Sequence, residues 1–344
     1  MIVYKEFMRG RILMEKRFNA LVVSEKEDDV VAGVTEWSVD QLSEGDTLIK
    51  VLYSAVNYKD ALATIKKGGV VRHYPMIPGI DLTGEIIESA DSRFEAGDKV
   101  VVTGNGTGVS HTGGFSEIVR VPGEWVLPLP KDMTPKQGAT LGTAGVTAVE
   151  AVQKLEMFGL KDNKEATILV TGATGGVGSV AIAFLRGLGY KNIVALSRKD
   201  NNEYLISLGV SRIVKPKDIT FDKPRPLAKQ QFDYVIDTIG GDMLTAILPQ
   251  ISYGGAIALC GNASGIKLSA TVLPFILRGV SMLGVDSVQL SNAAKEGIWE
   301  RLEQTLSEEI YNVISSREAS LEESVNVVTE LLEGTHSGRT LIKM

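Results

Sequence analysis

Residues 171–178 read T-G-A-T-G-G-V-G, and they stand between an apolar run at 166–170 (A-T-I-L-V) and another at 178–189 (G-S-V-A-I-A-F-L-R-G-L-G). The first run is short and aliphatic, which reads as a buried strand; the second is longer and Ala-containing, which reads as a helix. A glycine-rich turn between strand and helix can be a tight connection and nothing more. It is also the turn that receives a dinucleotide. One glycine allows the sharp bend, a second lets the backbone approach the pyrophosphate, a third lets helix and strand pack closely, and the helix N-terminus favours the anion. Gly172, Gly175 and Gly178 recur every third residue, with Thr174, Gly176 and Val177 between them. The strand before, the helix after and the alternation that continues beyond favour the dinucleotide over the bare turn.

The next strand-like run, N-I-V-A-L-S, ends at Ser197, nineteen residues past Gly178. NAD-binding units tend to place an acid there for the ribose 2′-hydroxyl. Here the position holds Ser197, Arg198 and Lys199. A hydroxyl and two cations suit a 2′-phosphate through charge-assisted hydrogen bonds, which implies NADPH as the cofactor; the alternative is a pair of solvated loop charges. The same glycine turn occurs in short-chain dehydrogenases, which need a Tyr with Lys four residues later. None of the nine tyrosines has that partner, and a turn at residue 171 is far from the N-terminus, so that reading fails.

Further outward, helical and strand-like runs alternate from residue 134: a single helix over 134–155, strand 165–172, helix 178–190, strand 192–197, helix 201–209, strand 212–215, strand 232–240, helix 243–251 and strand 254–261. This alternation predicts βαβ units and a parallel sheet. Residues 18–130 differ, with short strand-like runs at 18–24, 46–56, 84–89, 98–104 and 116–122 between Gly, Pro and Asp clusters, and one helical segment at 57–65. Helices at 295–308 and 321–334 and a strand at 338–344 complete the chain. The fold class is therefore α/β, a β-rich domain (18–140 and 305–344) plus a doubly wound parallel sheet (141–304), with residues 1–17 as an extension.

Bulk composition removes several functions. The 344 residues carry a formal net charge of −6 with no long basic block, so a nucleic-acid surface is not expected. No uncharged apolar stretch reaches the roughly 18 residues of a membrane span, and the mixed-charge start is a poor secretory signal. Cys260 is the only cysteine, which fits a reducing cytoplasm, and the three histidines are far apart in sequence, so a structural zinc is not expected.

Several segments carry a family resemblance: V-N-Y-K-D-A-L-A (56–63), P-M-I-P-G-I-D (75–81), G-T-A-G-V-T-A (142–148), E-Y-L-I-S-L-G-V-S-R (203–212), P-F-I-L-R-G-V (274–280) and G-V-D-S-V (284–288). From about residue 18 to its end the chain resembles the YhdH/YhfP branch of the medium-chain dehydrogenase/reductase superfamily, which contains acryloyl-CoA reductases and proteins labelled quinone oxidoreductases. The resemblance implies a GroES-like catalytic domain beside a Rossmann domain. Where zinc relatives read Gly-His-Glu after the proline, this chain reads Gly79-Ile80-Asp81, which implies no catalytic zinc. Tyr58 is then expected near the nicotinamide, with Asn57 and Asp60 as secondary catalytic candidates; Asp60 could equally brace its helix. Arg212 is placed by resemblance near the adenosine phosphate. Cys260 is expected to line the cofactor crevice, and Asp286 and Ser287 to face the nicotinamide. The resemblance also implies a homodimer, paired through 279–288. The expected substrate is a small molecule, acryloyl-CoA or a similar unsaturated acyl-CoA. A quinone or enone reductase and a non-catalytic NADPH-binding protein remain as alternatives.

Overall fold

A computed structural model describes residues 16–27, 29–199, 202–223, 225–315 and 317–344. Nearly all of the expected N-terminal extension lies outside them. The chain divides into two compact units, Met1–Thr143 with Ser291–Glu296 and Ser315–Met344, and Ala144–Leu290 with Gly297–Ile314.

The first unit holds two sheets. β1 (Arg17–Lys26) and β2 (Asp29–Ser38) form an antiparallel ribbon; β2 was not anticipated, because V-V-A-G-V-T-E-W alternates only loosely and carries a glycine. The larger sheet is built from β3 (Thr47–Ala55), β4 (Asp81–Ser89), β5 (Lys99–Thr103), β6 (Ile118–Val121) and β7 (Val126–Pro128), joined near the chain's end by β14 (Arg317–Ala319) and β15 (Thr340–Lys343). Its order is β14-β15-β3-β4-β5-β7, with β6 also paired to β3. Ile49, Val51, Leu82, Val100, Val102, Val119 and Val121 fill one of its cores, while Phe18, Leu21, Ile77, Phe115, Val327 and Ile342 belong to another. A single helical turn and a half, α1 (Tyr58–Ala63), follows β3.

The second unit is a six-stranded sheet ordered β10-β9-β8-β11-β12-β13, from β8 (Ile168–Val170), β9 (Ile193–Leu196), β10 (Arg212–Val214), β11 (Phe232–Asp237), β12 (Ile251–Leu259) and β13 (Ser281–Gly284). Every neighbouring pair is parallel. Chain order therefore reverses at β8, so the crevice that such sheets offer to ligands opens beyond the carboxyl end of β8. Buried Leu169, Val194, Phe232, Val235 and Ile257 form its apolar centre.

Two helices depart from the sequence reading. The expected 134–155 helix spans Pro135–Glu156 (α2) but is broken at Gly142, whose φ of 46° and ψ of −144° are not helical. Thr143 N–H donates to Asp81 Oδ2 (2.9 Å) and Arg339 Nε donates to the Thr140 carbonyl (3.1 Å). Two side chains thus serve backbone groups at the break. The expected 295–308 helix runs Asn292–Thr305 and is followed by a separate one, Glu308–Ile314. Its later part packs on α3 (Gly176–Gly187): a Cβ on Gly187 would lie 2.6 Å from the Thr305 carbonyl, and Arg301 forms a bidentate pair with Glu156 (2.9 and 2.9 Å). Residues 297–314 consequently belong with the parallel sheet, beyond the return at 305 expected from sequence.

A Cβ at Gly142 would sit 2.3 Å from Asp81 Oδ2, and this φ/ψ region is nearly exclusive to glycine. Gly142→Ala should lower unfolding stability by about 1–3 kcal/mol, read from urea denaturation; an unchanged midpoint would show that the break is not constrained.

Candidate functional site

In the parallel-sheet unit the glycine turn leaves β8 and enters α3. The helix begins at Gly176, two residues earlier than the sequence pattern indicated, with Gly175 as its N-cap and no side-chain cap among the described residues. Its first-turn N–H groups are therefore left to face the turn. Gly172 has φ 55°, and a Cβ there would lie 2.2 Å from Thr238 Oγ1. A Cβ on Gly178 would lie 2.4 Å from the Gly172 carbonyl. The bend and the close packing both require glycine. Thr174 is buried, while Gly175, Gly176 and Val177 are half-buried.

A buried carboxylate that sequence reasoning did not single out fixes the turn from the neighbouring strand. Asp237, at the end of β11, accepts from Thr171 Oγ1 (2.7 Å) and from Gly240 N–H (2.8 Å). Burial raises its pKa, partly opposed by these donors. Cys260, one residue past β12, donates its N–H to the Asp237 carbonyl (2.9 Å) and its thiol to the same oxygen (3.4 Å). Burial, then the charges of Asp237 and Glu150, push that thiol up to about 12. Beyond β13, Ser287 Oγ shares a hydrogen with Thr147 Oγ1 (2.7 Å), and exposed Asp286 accepts the Val288 N–H (3.1 Å).

At the end of β9, buried Ser197 accepts the Lys199 N–H at Oγ (3.1 Å), forming a tight turn that presents Arg198 to solvent. Burial and the neighbouring Arg198 charge lower the Lys199 pKa. Lys215 Nζ donates to the Lys199 carbonyl (2.8 Å). Arg212, by contrast, starts β10 with its Cα opposite Val194, toward the amino end of the strands. Lys215 was missed because the sequence argument stopped at the end of the second strand, although the cation directly after the third strand was the available signal. Arg278 donates to the carbonyls of Ala228, Pro249 and Ile251 (2.6, 2.7 and 3.1 Å), a structural role.

In the first unit, Tyr58 opens α1 and is 42 % exposed. Asp60 is buried and accepts three backbone N–H groups, from Asn57 (2.8 Å), Ile80 (2.9 Å) and Gly79 (3.1 Å). Its bracing role is the one these contacts support. Burial, and secondarily the Asp81 charge, raise its carboxyl to about 7. Asn57 Nδ2 donates to Asp81 Oδ2 and to the Ala55 carbonyl (both 3.0 Å), and its Oδ1 accepts from Arg339 (2.7 Å). Arg339 also reaches Asp81 Oδ2 (3.3 Å), both side chains being 1 % exposed. Asp81 and Arg339 organise this turn, and neither was assigned a role from sequence. Ile80 is buried beside them, and among the described residues no three His, Cys, Asp or Glu side chains are grouped to hold a metal ion. Arg72 and His73 are exposed.

A family model described as the alcohol dehydrogenase GroES-like domain matches residues 43–131, and one described as zinc-binding dehydrogenase matches 176–304. The chain is 41% identical to acrylyl-CoA reductase AcuI of Ruegeria pomeroyi, over 94% of this chain and 98% of that protein. It is 40% identical to YhfP of Bacillus subtilis, provisionally named a quinone oxidoreductase, over 96% and 100%. Among solved structures, Escherichia coli YhdH with bound NADPH superposes with a TM-score of 0.90 at 42% identity, covering 94% of this chain and 99% of that one. Bacillus subtilis yhfP with NAD bound gives 0.91 at 41%, covering 96% and 100%.

A raised carboxyl favours the folded state below its unfolded pKa of 3.8 and loses that contribution as pH rises through about 7. Asp60→Asn should therefore reduce the decline in unfolding stability between pH 5 and pH 8, measured by urea titration at each pH; an undiminished slope would mean Asp60 ionises normally.

Proposed function

Because the chain belongs to the YhdH/YhfP/AcuI branch of the medium-chain dehydrogenase/reductase superfamily, we propose that it is an NADPH-dependent, zinc-independent reductase of an activated C=C bond, acting on acryloyl-CoA or a similar short α,β-unsaturated acyl-CoA. The observation that carries the cofactor choice is the cationic turn after β9, where Ser197, Arg198, Lys199 and Lys215 stand in place of an acid. The glycine turn supports a dinucleotide of either kind, since a Cβ at Gly172 or Gly178 would collide with neighbouring atoms and the bend would be lost.

Gly172, Thr174, Gly175, Gly176, Val177 and Gly178 would hold the pyrophosphate, and the Ser197 turn the 2′-phosphate. When bound, NADPH supplies the hydride. The chain's own work is to orient the substrate and to stabilise the negative charge that develops on its carbonyl oxygen when the β-carbon is reduced. Tyr58 is the residue assigned to donate to that oxygen. Asn57, held at both ends of its amide, and Asp60, spent on backbone N–H groups, fix the turn from which Tyr58 projects. A quinone or enone substrate is the second reading, favoured by the provisional name of YhfP.

The edge strand β13 and the exposed Val272, Ile276 and Leu277 support a homodimer closed by a second copy of this chain. Replacing Ile276 and Leu277 by Lys should yield monomer in sedimentation; an unchanged species would reject this surface.

Following NADPH and NADH absorbance with chelator present, NADPH oxidation with acryloyl-CoA should exceed that with crotonyl-CoA or a simple quinone. Turnover with quinone alone would promote the second reading, and silence throughout would favour a non-catalytic binding protein. Arg198→Ala with Lys199→Ala should weaken NADPH by about tenfold or more while leaving NADH within about twofold.

A further inference from the structure

Asp81 spends only half of its carboxylate. Oδ2 accepts from Asn57 Nδ2, the Thr143 N–H and Arg339 (3.0, 2.9 and 3.3 Å), whereas Oδ1 is buried and has no hydrogen-bond partner in the protein. Buried acceptors, charged ones above all, are ordinarily satisfied, and each exception asks for a reason.

The same sheet offers a matching donor. Thr103, the last residue of β5, pairs with Asp81, the first of β4. One position further on, the Gly104 N–H donates to the Ile80 carbonyl (3.3 Å). Ladder bonds alternate along antiparallel strands, so Asp81 and Thr103 form a non-hydrogen-bonded pair, the kind with Cα atoms about 4.5 Å apart and side chains closest on one face. Thr103 is 3 % exposed and its Oγ1 likewise has no protein partner. An acceptor without a donor faces a donor without an acceptor. The Thr103 carbonyl, turned away from β4 by the same alternation, accepts from Lys295 Nζ (3.1 Å), itself buried. That bond holds the backbone from which the Thr103 hydroxyl projects.

We propose that Thr103 is a positioning residue for the Tyr58 turn, its hydroxyl donating to Asp81 Oδ1 through one ordered water. Asp81 is thereby fixed with Oδ2 toward Asn57 and Thr143, and Asn57 is the residue immediately before Tyr58. A water is suited to this place because both atoms are polar and buried and neither has a hydrogen-bond partner in the protein. The kinetic part of the inference rests on the reductase reading above; the structural part does not.

Thr103→Val removes the hydroxyl at almost constant volume, and Thr103→Ser keeps it. In thermal unfolding, Thr103→Val should lower Tm in the parent but have less than half that effect in an Asp81→Asn background, whether or not the protein turns over acryloyl-CoA. Equal effects in both backgrounds overturn the bridge. In kinetics, Thr103→Val should cut kcat about tenfold with KM within twofold, and Thr103→Ser should restore most of the rate. Equal losses for Val and Ser would assign Thr103 to packing alone and reject the proposal. Coupling in Tm together with an unchanged kcat would reject the positioning role, and coupling with no turnover in the parent would reject the reductase reading while leaving the bridge.

Discussion

The first unit depends on one buried ion pair. Asp81 and Arg339 are almost wholly removed from water, a burial that costs several kcal/mol per ion and is offset only where geometry is good and the other polar atoms find partners. Arg339 meets the requirement through the Val56 and Thr140 carbonyls and Asn57 Oδ1. These contacts draw together four stretches that are remote in sequence: the end of β3, the start of β4, the α2 break and the start of β15. Breaking such a pair from one side typically costs about 3–5 kcal/mol, so each stretch is held by the others' charges as much as by apolar packing.

The second unit rests on a different constraint, close approach of backbone to backbone. Gly172 and Gly178 are required because an added Cβ would lie only 2.2 and 2.4 Å from neighbouring atoms. Asp237 ties the turn to the adjacent strand through Thr171 and Gly240. The turn is thus shaped by its own packing and by hydrogen bonds to the neighbouring strand. One unit carries a glycine turn fixed by close packing; the other carries a tyrosine mounted on a charge-locked turn.

Local patterns were the legible part of the sequence. The glycine turn, the βα alternation and the strand-like runs of the N-terminal region all express short-range rules, and the α/β class with its parallel sheet followed from them. The break at Gly142 was not legible, since an Ala-containing run with helical spacing gives no sign of a carboxylate 62 residues back or a guanidinium 199 residues ahead. Arg339 looked like one charge in a terminal strand, and Asp81 like the last letter of a motif. Lys215 reaches the Ser197 turn only because β9 and β10 are neighbours in the sheet. Residues that work through long-range pairing leave no periodic trace.

The chain's lone thiol has a chemical bearing on its own survival. Any alkene activated enough to accept hydride is also an alkylating agent toward thiolates. Cys260, at the carboxyl edge of the sheet, has its proton held by burial and by neighbouring negative charge up to about 12. The sulfur is therefore kept in its protonated, weakly nucleophilic form, and an electrophile reaching this edge of the sheet would find no ready thiolate there.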